Sequence, residues 1–209
     1  MNLAKYIDYT LLKATATPAQ IEKLCQEARQ YGFFSVCVNS SYVPLAARLL
    51  KGTDVKVCTV VGFPLGAMST QGKLYETSTA LTEGADEIDM VINLGLFLSG
   101  RTAKVLDEIA LLKQETADKV LKVIIETCYL NDDQKCLASQ ICVDAGADFV
   151  KTSTGFGTGG ATLADVQLIK EVVGDRAKIK ASGGIRNRET ALQYIDLGVS
   201  RIGASAILV

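Results

Sequence analysis

The feature that most constrains the fold of this chain is a repeated succession of a helix-like stretch, a glycine and a continuous apolar run. The helix-like stretch Pro18–Tyr31 ends at Gly32 and precedes FFSVCV. Tyr42–Lys51 likewise ends at Gly52 and precedes VKVCTVVGF. Four later glycines stand before apolar runs in the same way: Gly84, Gly146, Gly174 and Gly198. Glycine is favoured just beyond a helix end because that position adopts a left-handed backbone. The pattern therefore predicts alternating helices and strands.

Val- and Ile-rich runs that alternate with helices are typical of parallel strands buried on both faces of a sheet. Tyr6–Leu11 supplies a first strand, and the helix-like stretch Ala103–Thr116 leads into VLKVIIET without a glycine. Eight strands in 209 residues give about 26 residues per unit, which is enough for βα units. We therefore predict an α/β fold, a single-domain (β/α)8 TIM barrel over residues 1–209. A doubly wound open sheet is the alternative.

The glycines also predict a register for the barrel interior. The fifth residues after four of these glycines, on strands two, four, six and eight, are Cys37, Asp89, Lys151 and Gly203. Each interior layer of such a barrel takes one side chain from alternate strands, so these four residues are expected in one layer. Lys180 lies six residues after Gly174, which leaves its layer open. Adjacent parallel strands lie about 4.8 Å apart and would bring Lys180 close to Lys151.

The chain contains no histidine. This excludes Ser-His-Asp and Cys-His catalytic sites and zinc sites with histidine ligands. Acid–base and nucleophilic chemistry must then come from Lys, Asp, Glu, Tyr, Cys or water. Carboxylate-bound magnesium stays open, although no acidic cluster indicates it, and we expect neither a metal nor an organic cofactor.

Charge and cysteine content predict the partners and the compartment. A net charge of −1 without a Lys or Arg cluster argues against nucleic acid or a membrane as partner. No membrane-length apolar stretch or signal-peptide core is present. The six cysteines lack a CxxC pair and are expected to be reduced thiols: Cys25, Cys37, Cys58, Cys128, Cys136 and Cys142. We predict a cytoplasmic protein that binds a small molecule, and a homodimer is the protein assembly considered.

Lys151 interrupts FVKTS, a strand that otherwise has the composition of a buried one. Its ammonium could form a structural ion pair with Asp89, or its amine could be kept neutral to attack a carbonyl. A lysine with a pKa of about 10.4 is neutral at pH 7 in about one molecule in 2,500, and lowering that pKa to about 7 requires about 4.6 kcal/mol. Burial and a second cation, Lys180, can supply such a shift. The pair of lysines favours catalysis.

Two other residues of the predicted layer have less definite roles. Asp89 could relay protons or could anchor an ammonium, and the sequence does not separate these interpretations. Cys37 is interpreted as a small apolar filler, because a cysteine nucleophile would need an activating base.

The loops after strands seven and eight predict a phosphate site. Ser182-Gly183-Gly184-Ile185-Arg186 follows strand seven, and Gly203-Ala204-Ser205 follows strand eight. Barrels of this type commonly bind phosphate at these loops, through backbone N–H groups that glycine leaves accessible. The glycine-rich segment Gly155–Gly160 after strand six is either a third side of that pocket or a flexible loop.

These segments closely resemble deoxyribose-phosphate aldolase, a class I aldolase family. The matching segments run through nearly the whole chain: IDYTLLKATAT, SVCVN, VCTVVGFPLGA, GADEIDMVINLG, KVIIETCYL, ADFVKTSTGF, IKASGGIR and RIGAS. The resemblance implies reversible cleavage of 2-deoxy-D-ribose 5-phosphate to D-glyceraldehyde 3-phosphate and acetaldehyde. Such an enzyme is a lyase of carbohydrate degradation that needs no cofactor.

The resemblance also implies roles for individual residues. Lys151 would form the Schiff base, Lys180 would lower its pKa, and Asp89 would relay protons. The implied phosphate contacts are Gly155, Gly183, Gly184, Arg186, Gly203 and Ser205. The implied pocket residues are Asp8, Thr10, Cys37 and Thr154.

Three departures from the family pattern bear on the site. Tyr9 stands where many members have a histidine, and we expect it near the pocket. Ser205-Ala206 replaces a pair of serines, which would weaken one phosphate contact. The chain ends at Val209, before the tail that carries a tyrosine in some members, so proton transfer through that tail is not expected.

Three other functions are compatible with the same residues. The first is another Schiff-base aldolase with a different acceptor or phosphate preference. The second is a phosphosugar isomerase that uses Asp89 as a base and Lys151 only as an electrostatic stabiliser. The third is an inactive barrel that binds a metabolite.

Overall fold

A computed structural model describes residues 2–206 and contains a closed barrel of parallel strands. The strands are β1 Ile7–Leu11, β2 Ser35–Val38, β3 Lys56–Val61, β4 Glu87–Val91, β5 Val120–Ile124, β6 Phe149–Lys151, β7 Lys178–Ser182 and β8 Arg201–Ala204. β8 pairs with β1, where Asp8 lies opposite Gly203, and this pairing joins the two ends of the sheet. The predicted eight-stranded barrel is confirmed, and the alternative of an open sheet is wrong.

Helices cover the outside of the barrel. They are α1 Pro18–Tyr31, α2 Val43–Leu50, α3 Thr70–Thr82, α4 Leu94–Leu98, α5 Thr102–Thr116, α6 Asp132–Asp144, α7 Leu163–Val173 and α8 Arg188–Asp196. The predicted bounds of α1 are confirmed, whereas α2 is one residue shorter at each end than predicted. β1 begins at Ile7 because Tyr6 closes the short 3-10 helix Leu3–Tyr6. The short helix α4 was not predicted.

Glycine terminates α1 as expected, and α5 shows how a helix can end without one. Gly32 has a left-handed backbone (φ 66°), and its N–H donates to the Ala28 carbonyl. At the end of α5 this position is occupied by Ala117, which also has a positive φ (49°) but a different ψ (−113°) from Gly32. A non-glycine residue is uncommon in that region, which explains why the glycine pattern of the sequence misses this unit.

Apolar packing is concentrated between the helices and the outer face of the barrel. On α1 the buried face consists of Ile21, Leu24, Cys25 and Ala28. This face belongs to one continuous hydrophobic core that includes the outward-facing Val36 and Val38 of β2. Because this core lies outside the barrel, the barrel interior is available for polar side chains.

The interior is filled by layers that alternate between even and odd strands, as in other eight-stranded barrels. Following the strand register around the barrel, the top layer consists of Cys37, Asp89, Lys151 and Gly203. The middle layer consists of Asp8, Cys58, Lys122 and Lys180. The bottom layer consists of Ser35, Glu87, Phe149 and Arg201. The predicted layer is confirmed, and Lys180 lies in the layer directly below it.

All six cysteines carry free thiols, and four of them are buried: Cys25, Cys37, Cys58 and Cys142. The expectation of unpaired cysteines is therefore confirmed. Within residues 2–206, every helix is too short or too polar to cross a membrane.

Candidate active site

A cavity of about 300 Å3 opens at the end of the barrel where the strands finish, the end that carries the active sites of such barrels. Its floor and walls come from the first, sixth, seventh and eighth strands and the loops that follow them. The lining residues include Thr10, Lys13, Lys151, Thr154, Gly155, Phe156, Ser182, Gly183, Gly184, Arg186, Gly203 and Ser205. The structure thus brings most of the predicted site residues into one cavity.

Lys151 forms part of the cavity floor. It is the last residue of β6 and is only 3% exposed. Its Nζ lies 2.7 Å from Oδ2 of Asp89. The amine therefore meets the cavity on one side and a single carboxylate on the other, so a reactant in the cavity can reach it.

Lys180 lies beside Lys151 because the two residues are register partners on β6 and β7. Its Nζ lies 2.7 Å from the same Oδ2 atom of Asp89 and 2.5 Å from Oδ2 of Asp8. Burial alone would lower the pKa of Lys180, but the carboxylates of Asp8 and Asp89 raise it well above its usual value. Lys180 is therefore a permanently charged neighbour of Lys151.

Asp89 is fully buried and contacts a third lysine that the sequence analysis missed. Nζ of Lys122 on β5 lies 2.8 Å from Oδ1 of Asp89 and 2.6 Å from Oε2 of Glu87. Burial would raise the pKa of Asp89, but the ammonium groups around it hold that pKa well below its usual range. An ionised Asp89 fits the role of anchor, and its role as a proton relay stays a prediction.

Two predicted pocket residues lie beneath the cavity rather than on its wall. Asp8 is fully buried in the middle layer, where Lys180 and Arg201 contact its two carboxylate oxygens. Cys37 is also fully buried and packs in an apolar group with Leu12, Cys58 and Val60. Asp8 and Cys37 do not line this cavity, because their side chains point into the packed barrel, and their role as pocket residues stays a prediction.

Cys37, Cys58 and Asp89 also bring possible metal-ligand atoms together, within 4.8 Å of one another. The same position is reached by the ammonium of Lys122, whose Nζ lies 3.4 Å from Sγ of Cys58. The Cys58 thiol donates to Oδ1 of Asp89 at 3.2 Å. A cation is thus already supplied by the protein, and these residues do not fit a metal ion.

The glycines of the predicted phosphate loops have the conformations and the close packing that require glycine. Gly155, Gly183 and Gly184 have positive φ angles of 83°, 84° and 79°. A β carbon on Gly160 would lie 2.2 Å from the carbonyl oxygen of Gly183. The loops after β6 and β7 therefore pack backbone against backbone. Gly155–Gly160 is held against the β7 loop through this contact.

The charges that line the cavity favour an anion. Arg186 and Lys13 are exposed at its mouth, Lys151 lies at its floor, and the lining residues include no carboxylate. Neither Arg186 nor Lys13 forms a salt bridge with the part of the chain that the structure describes. Arg186 was predicted from the sequence, whereas Lys13 was missed because it follows β1 as an ordinary exposed residue.

Glu126 is a third residue that the sequence analysis missed, after Lys122 and Lys13. It has a left-handed backbone (φ 53°) in the loop after β5. Its carboxylate accepts a hydrogen bond from the backbone N–H of Thr154 at 3.1 Å and another from the Thr154 hydroxyl. Glu126 therefore fixes the predicted pocket residue Thr154 and the start of the glycine-rich loop.

Comparison with known proteins agrees with this geometry. The profile of the DeoC/LacD family aldolases matches residues 3–208. The chain belongs to the DeoC/LacD aldolase family.

Relatives at high identity support the same assignment. The deoxyribose-phosphate aldolase of Carboxydothermus hydrogenoformans is 56% identical over 209 residues, covering 98% of this chain and 92% of that protein. The deoxyribose-phosphate aldolase of Coprothermobacter proteolyticus is 59% identical over 206 residues, covering 99% and 94%. The tetrameric deoxyribose phosphate aldolase of Aeropyrum pernix has a similar structure, with a TM-score of 0.89 at 36% identity, over 97% of this chain and 86% of that chain.

Tyr9, one of the departures from the family pattern, lies away from the pocket in this DeoC/LacD aldolase. Tyr9 points away from the barrel interior, because its neighbours Asp8 and Thr10 point inwards and side chains alternate along a strand. Its hydroxyl donates to Oε2 of Glu27 on α1 at 2.8 Å, and its ring packs on Phe33. The expectation that Tyr9 lies near the pocket was wrong. Val209, at which the family's tail was predicted to be missing, lies outside the described residues.

Proposed function

We propose that this chain is a class I aldolase that reversibly cleaves 2-deoxy-D-ribose 5-phosphate to D-glyceraldehyde 3-phosphate and acetaldehyde, through a Schiff base on Lys151. The observation that carries the proposal is the position of Lys151 at the floor of a cavity whose charged lining residues are all basic, with the ammonium of Lys180 on the same carboxylate oxygen. The similar proteins from Carboxydothermus hydrogenoformans and Coprothermobacter proteolyticus are both named deoxyribose-phosphate aldolase, and this supports deoxyribose phosphate as the substrate.

The reaction begins when the neutral Nζ of Lys151 adds to the C1 aldehyde of the open-chain sugar. The carbinolamine loses water and becomes an iminium, which can accept an electron pair. The C3 hydroxyl then loses its proton and the C2–C3 bond breaks. Glyceraldehyde 3-phosphate leaves with its new carbonyl at the former C3, and an enamine stays on Lys151. Protonation of the enamine at C2 and hydrolysis of the resulting iminium release acetaldehyde and restore the amine.

Lys180 and Asp89 have supporting roles in this proposal. The charged Lys180 destabilises an ammonium at Lys151, because two like charges beside one another raise the free energy of the charged form. Asp89 holds the two lysines in place, and a water bound by Asp89 and Lys180 carries the protons. Asp89 is shared among the three ammonium groups of Lys122, Lys151 and Lys180.

The phosphate of the substrate is assigned to the loops after β6, β7 and β8. The proposed contacts are Gly155, Gly183, Gly184, Arg186, Gly203 and Ser205. Backbone N–H groups in glycine-rich loops and an arginine side chain are the donors that phosphate prefers. Thr10 and Thr154 line the same cavity, and we assign them to the sugar hydroxyl groups.

Borohydride reduction in the presence of deoxyribose 5-phosphate tests the chemistry directly. We expect a stable adduct that peptide mapping places on Lys151 and that the Lys151→Arg variant does not form. Lys119→Arg, at an exposed lysine before β5, is the matched control and should form the adduct normally. An isomerase that used Lys151 only as an electrostatic stabiliser would form no adduct and would retain activity in Lys151→Arg.

We further propose that the protein acts in the cytoplasm and as a homodimer. Six free cysteines support a reducing compartment. The tetrameric relative from Aeropyrum pernix supports self-association. Light scattering on the purified protein tests the assembly, and a monomeric mass would contradict the dimer.

A further inference from the structure

The barrel interior contains more positive than negative charges. Across the three layers the positive side chains are Lys122, Lys151, Lys180 and Arg201, and the negative ones are Asp8, Glu87 and Asp89. Every one of these residues is at most 3% exposed. Four cations therefore face three anions. The cluster becomes electrically balanced when one of the four cations loses a proton.

The contacts indicate which cation is the easiest to neutralise. Arg201, at the bottom, lies 2.5 Å from both Asp8 and Glu87. Lys122 contacts Glu87 and Asp89, and Lys180 contacts Asp8 and Asp89. Lys151 contacts a single carboxylate, Asp89, and is also the one that lines the cavity. Loss of a proton from Lys151 breaks the fewest ion pairs.

We infer that Arg201 is a positioning residue for the proposed aldol reaction: its positive charge, which Glu87 offsets only in part, contributes to the excess of cations in the barrel interior and so disfavours a further charge on Lys151. This inference rests on the proposed Schiff base. Arg201 touches no part of the cavity and is fixed by buried contacts. Its guanidinium lies 3.5 Å from the centre of the Phe34 ring and donates to Ser35. Burial lowers the pKa of Arg201, but the carboxylates of Asp8 and Glu87 raise this pKa by more. The guanidinium is therefore permanently charged.

The titratable groups that face one another inside the barrel, within the residues that the structure describes, all come from the strands. The groups contributed by the strands are Asp8, Cys37, Cys58, Glu87, Asp89, Lys122, Lys151, Lys180 and Arg201. Both thiols are counted as neutral. Burial raises the pKa of Cys58, whose thiol donates to Asp89. The hydrogen bond with Cys58 lowers the pKa of Cys37, so Cys37 needs its own control in the experiment.

The size of the effect follows from the register. Lys151 pairs with Lys180, and Lys180 pairs with Arg201, so Arg201 lies two strands from Lys151. Two strand spacings amount to about 10 Å. Across that distance, with an effective dielectric constant of about 20, one charge shifts a pKa by about one unit. Removal of Arg201 should therefore move the pH dependence of a reaction at the Lys151 amine up by about one pH unit.

The test is the pH dependence of trapping by acetaldehyde and cyanoborohydride, measured on the full chain. The acid limb of the pH profile is the range in which the trapping rate falls as pH is lowered. Acetaldehyde has no titratable group, so a difference in this limb between the wild type and a variant reports on the protein. We expect Arg201→Gln to move this limb up by about one pH unit. Arg201→Lys keeps the charge and should leave the limb in place. Glu87→Gln should move it down, and the double variant Glu87→Gln/Arg201→Gln should return it to the wild-type position. Cys37→Ser should leave it in place.

Each outcome separates this inference from the proposed function. If the wild type forms no adduct, the Schiff-base proposal itself fails. If the wild type is trapped but the limb of folded Arg201→Gln stays in place, only the inference on Arg201 is overturned. A shift in Arg201→Lys equal to that in Arg201→Gln also overturns it, because geometry rather than charge would then be responsible. Should Arg201→Gln not fold, Glu87→Gln decides: a lower limb supports the inference, and an unchanged or higher limb overturns it.

Discussion

The Nζ atoms of Lys151 and Lys180 each lie 2.7 Å from one and the same atom, Oδ2 of Asp89. This arrangement follows from the pairing of the two residues across β6 and β7. A purely structural ion pair with Asp89 would need only one of the two lysines. The second ammonium makes a charge on the first less favourable, and this is the condition for a nucleophilic amine at neutral pH.

Replacement of Lys180 by methionine should therefore impair activity in a pH-dependent way. A unit charge about 5 Å away, at an effective dielectric constant of about 20, shifts a pKa by about two units, so kcat/KM at pH 7 should fall about 100-fold. The loss should be smaller at pH 9, because a larger share of lysine amines is neutral at that pH. Lys178→Met, two residues earlier on β7 and exposed, is the control and should retain activity. Equal activity of wild type and Lys180→Met at pH 7 would contradict the role given to Lys180.

The buried carboxylates should also link stability to pH. Burial raises the pKa of Asp8, but Lys180, Arg201 and Lys122 together lower it well below its usual value. A carboxyl group whose folded pKa is depressed stabilises the fold fully above its unfolded pKa of about 3.9, and this stabilisation is lost as pH falls towards the folded pKa.

We therefore expect the difference in unfolding free energy between the wild type and Asp8→Asn to shrink as pH is lowered from 5 to 3. Urea titrations at several pH values measure it. The exposed Asp175, changed to Asn, should show a difference near zero throughout. If the difference in unfolding free energy between wild type and Asp8→Asn widened towards pH 3, the ionised form of Asp8 would not be the one that stabilises the fold.

The two cations at the mouth of the cavity should distinguish phosphorylated from unphosphorylated substrates. Lys13→Gln should raise KM for deoxyribose 5-phosphate about fivefold, the size of an exposed charge contact of about 1 kcal/mol. KM for deoxyribose itself should not change. Lys51→Gln, which makes the same charge change on the surface just after α2, serves as control. An equal effect of Lys13→Gln on both sugars would rule out a phosphate contact.

Gly160→Ala should disturb the phosphate loops. A β carbon at this position would lie 2.2 Å from the Gly183 carbonyl oxygen, so the loops after β6 and β7 would have to separate. We expect weaker protection of the folded protein by inorganic phosphate, measured as a smaller rise in Tm. Gly95→Ala is the control, because the nearest atom to its β carbon lies 3.5 Å away. A phosphate-dependent rise in Tm equal to that of the wild type would show that the two loops adapt.

The sequence predicts the barrel and the top layer of its interior because both depend on a regular spacing. Counting from glycines reaches Asp89 and Lys151 correctly, since the loops before β4 and β6 are equivalent. The same count cannot reach Lys122. The loop before β5 turns at Ala117 instead of a glycine, so the strand has no marker from which to count.

Other parts of the site depend on relationships that spacing does not contain. Glu87 and Arg201 belong to a layer below the predicted one, and their pairing across the barrel becomes visible only when the strand tilt is known. The orientation of Tyr9 could have been predicted, because Asp8 and Thr10 were both assigned to the pocket and Tyr9 between them must then point outwards. Lys13 carries no local signal, since its place at the cavity mouth is set by the path of the chain after β1.

The ion pair between Asp8 and Arg201 joins residues 193 positions apart in the chain. It lies at the seam where β8 meets β1, so the charge cluster that includes Lys151 is complete only after the last strand has docked. During synthesis the growing polypeptide therefore contains Lys151 long before it contains the cation that closes the seam. Contacts of such long range form late and slowly. A partly folded chain would thus hold Lys151 without its full set of neighbouring charges, and the proposed reactivity towards aldehydes would arise only in the finished barrel.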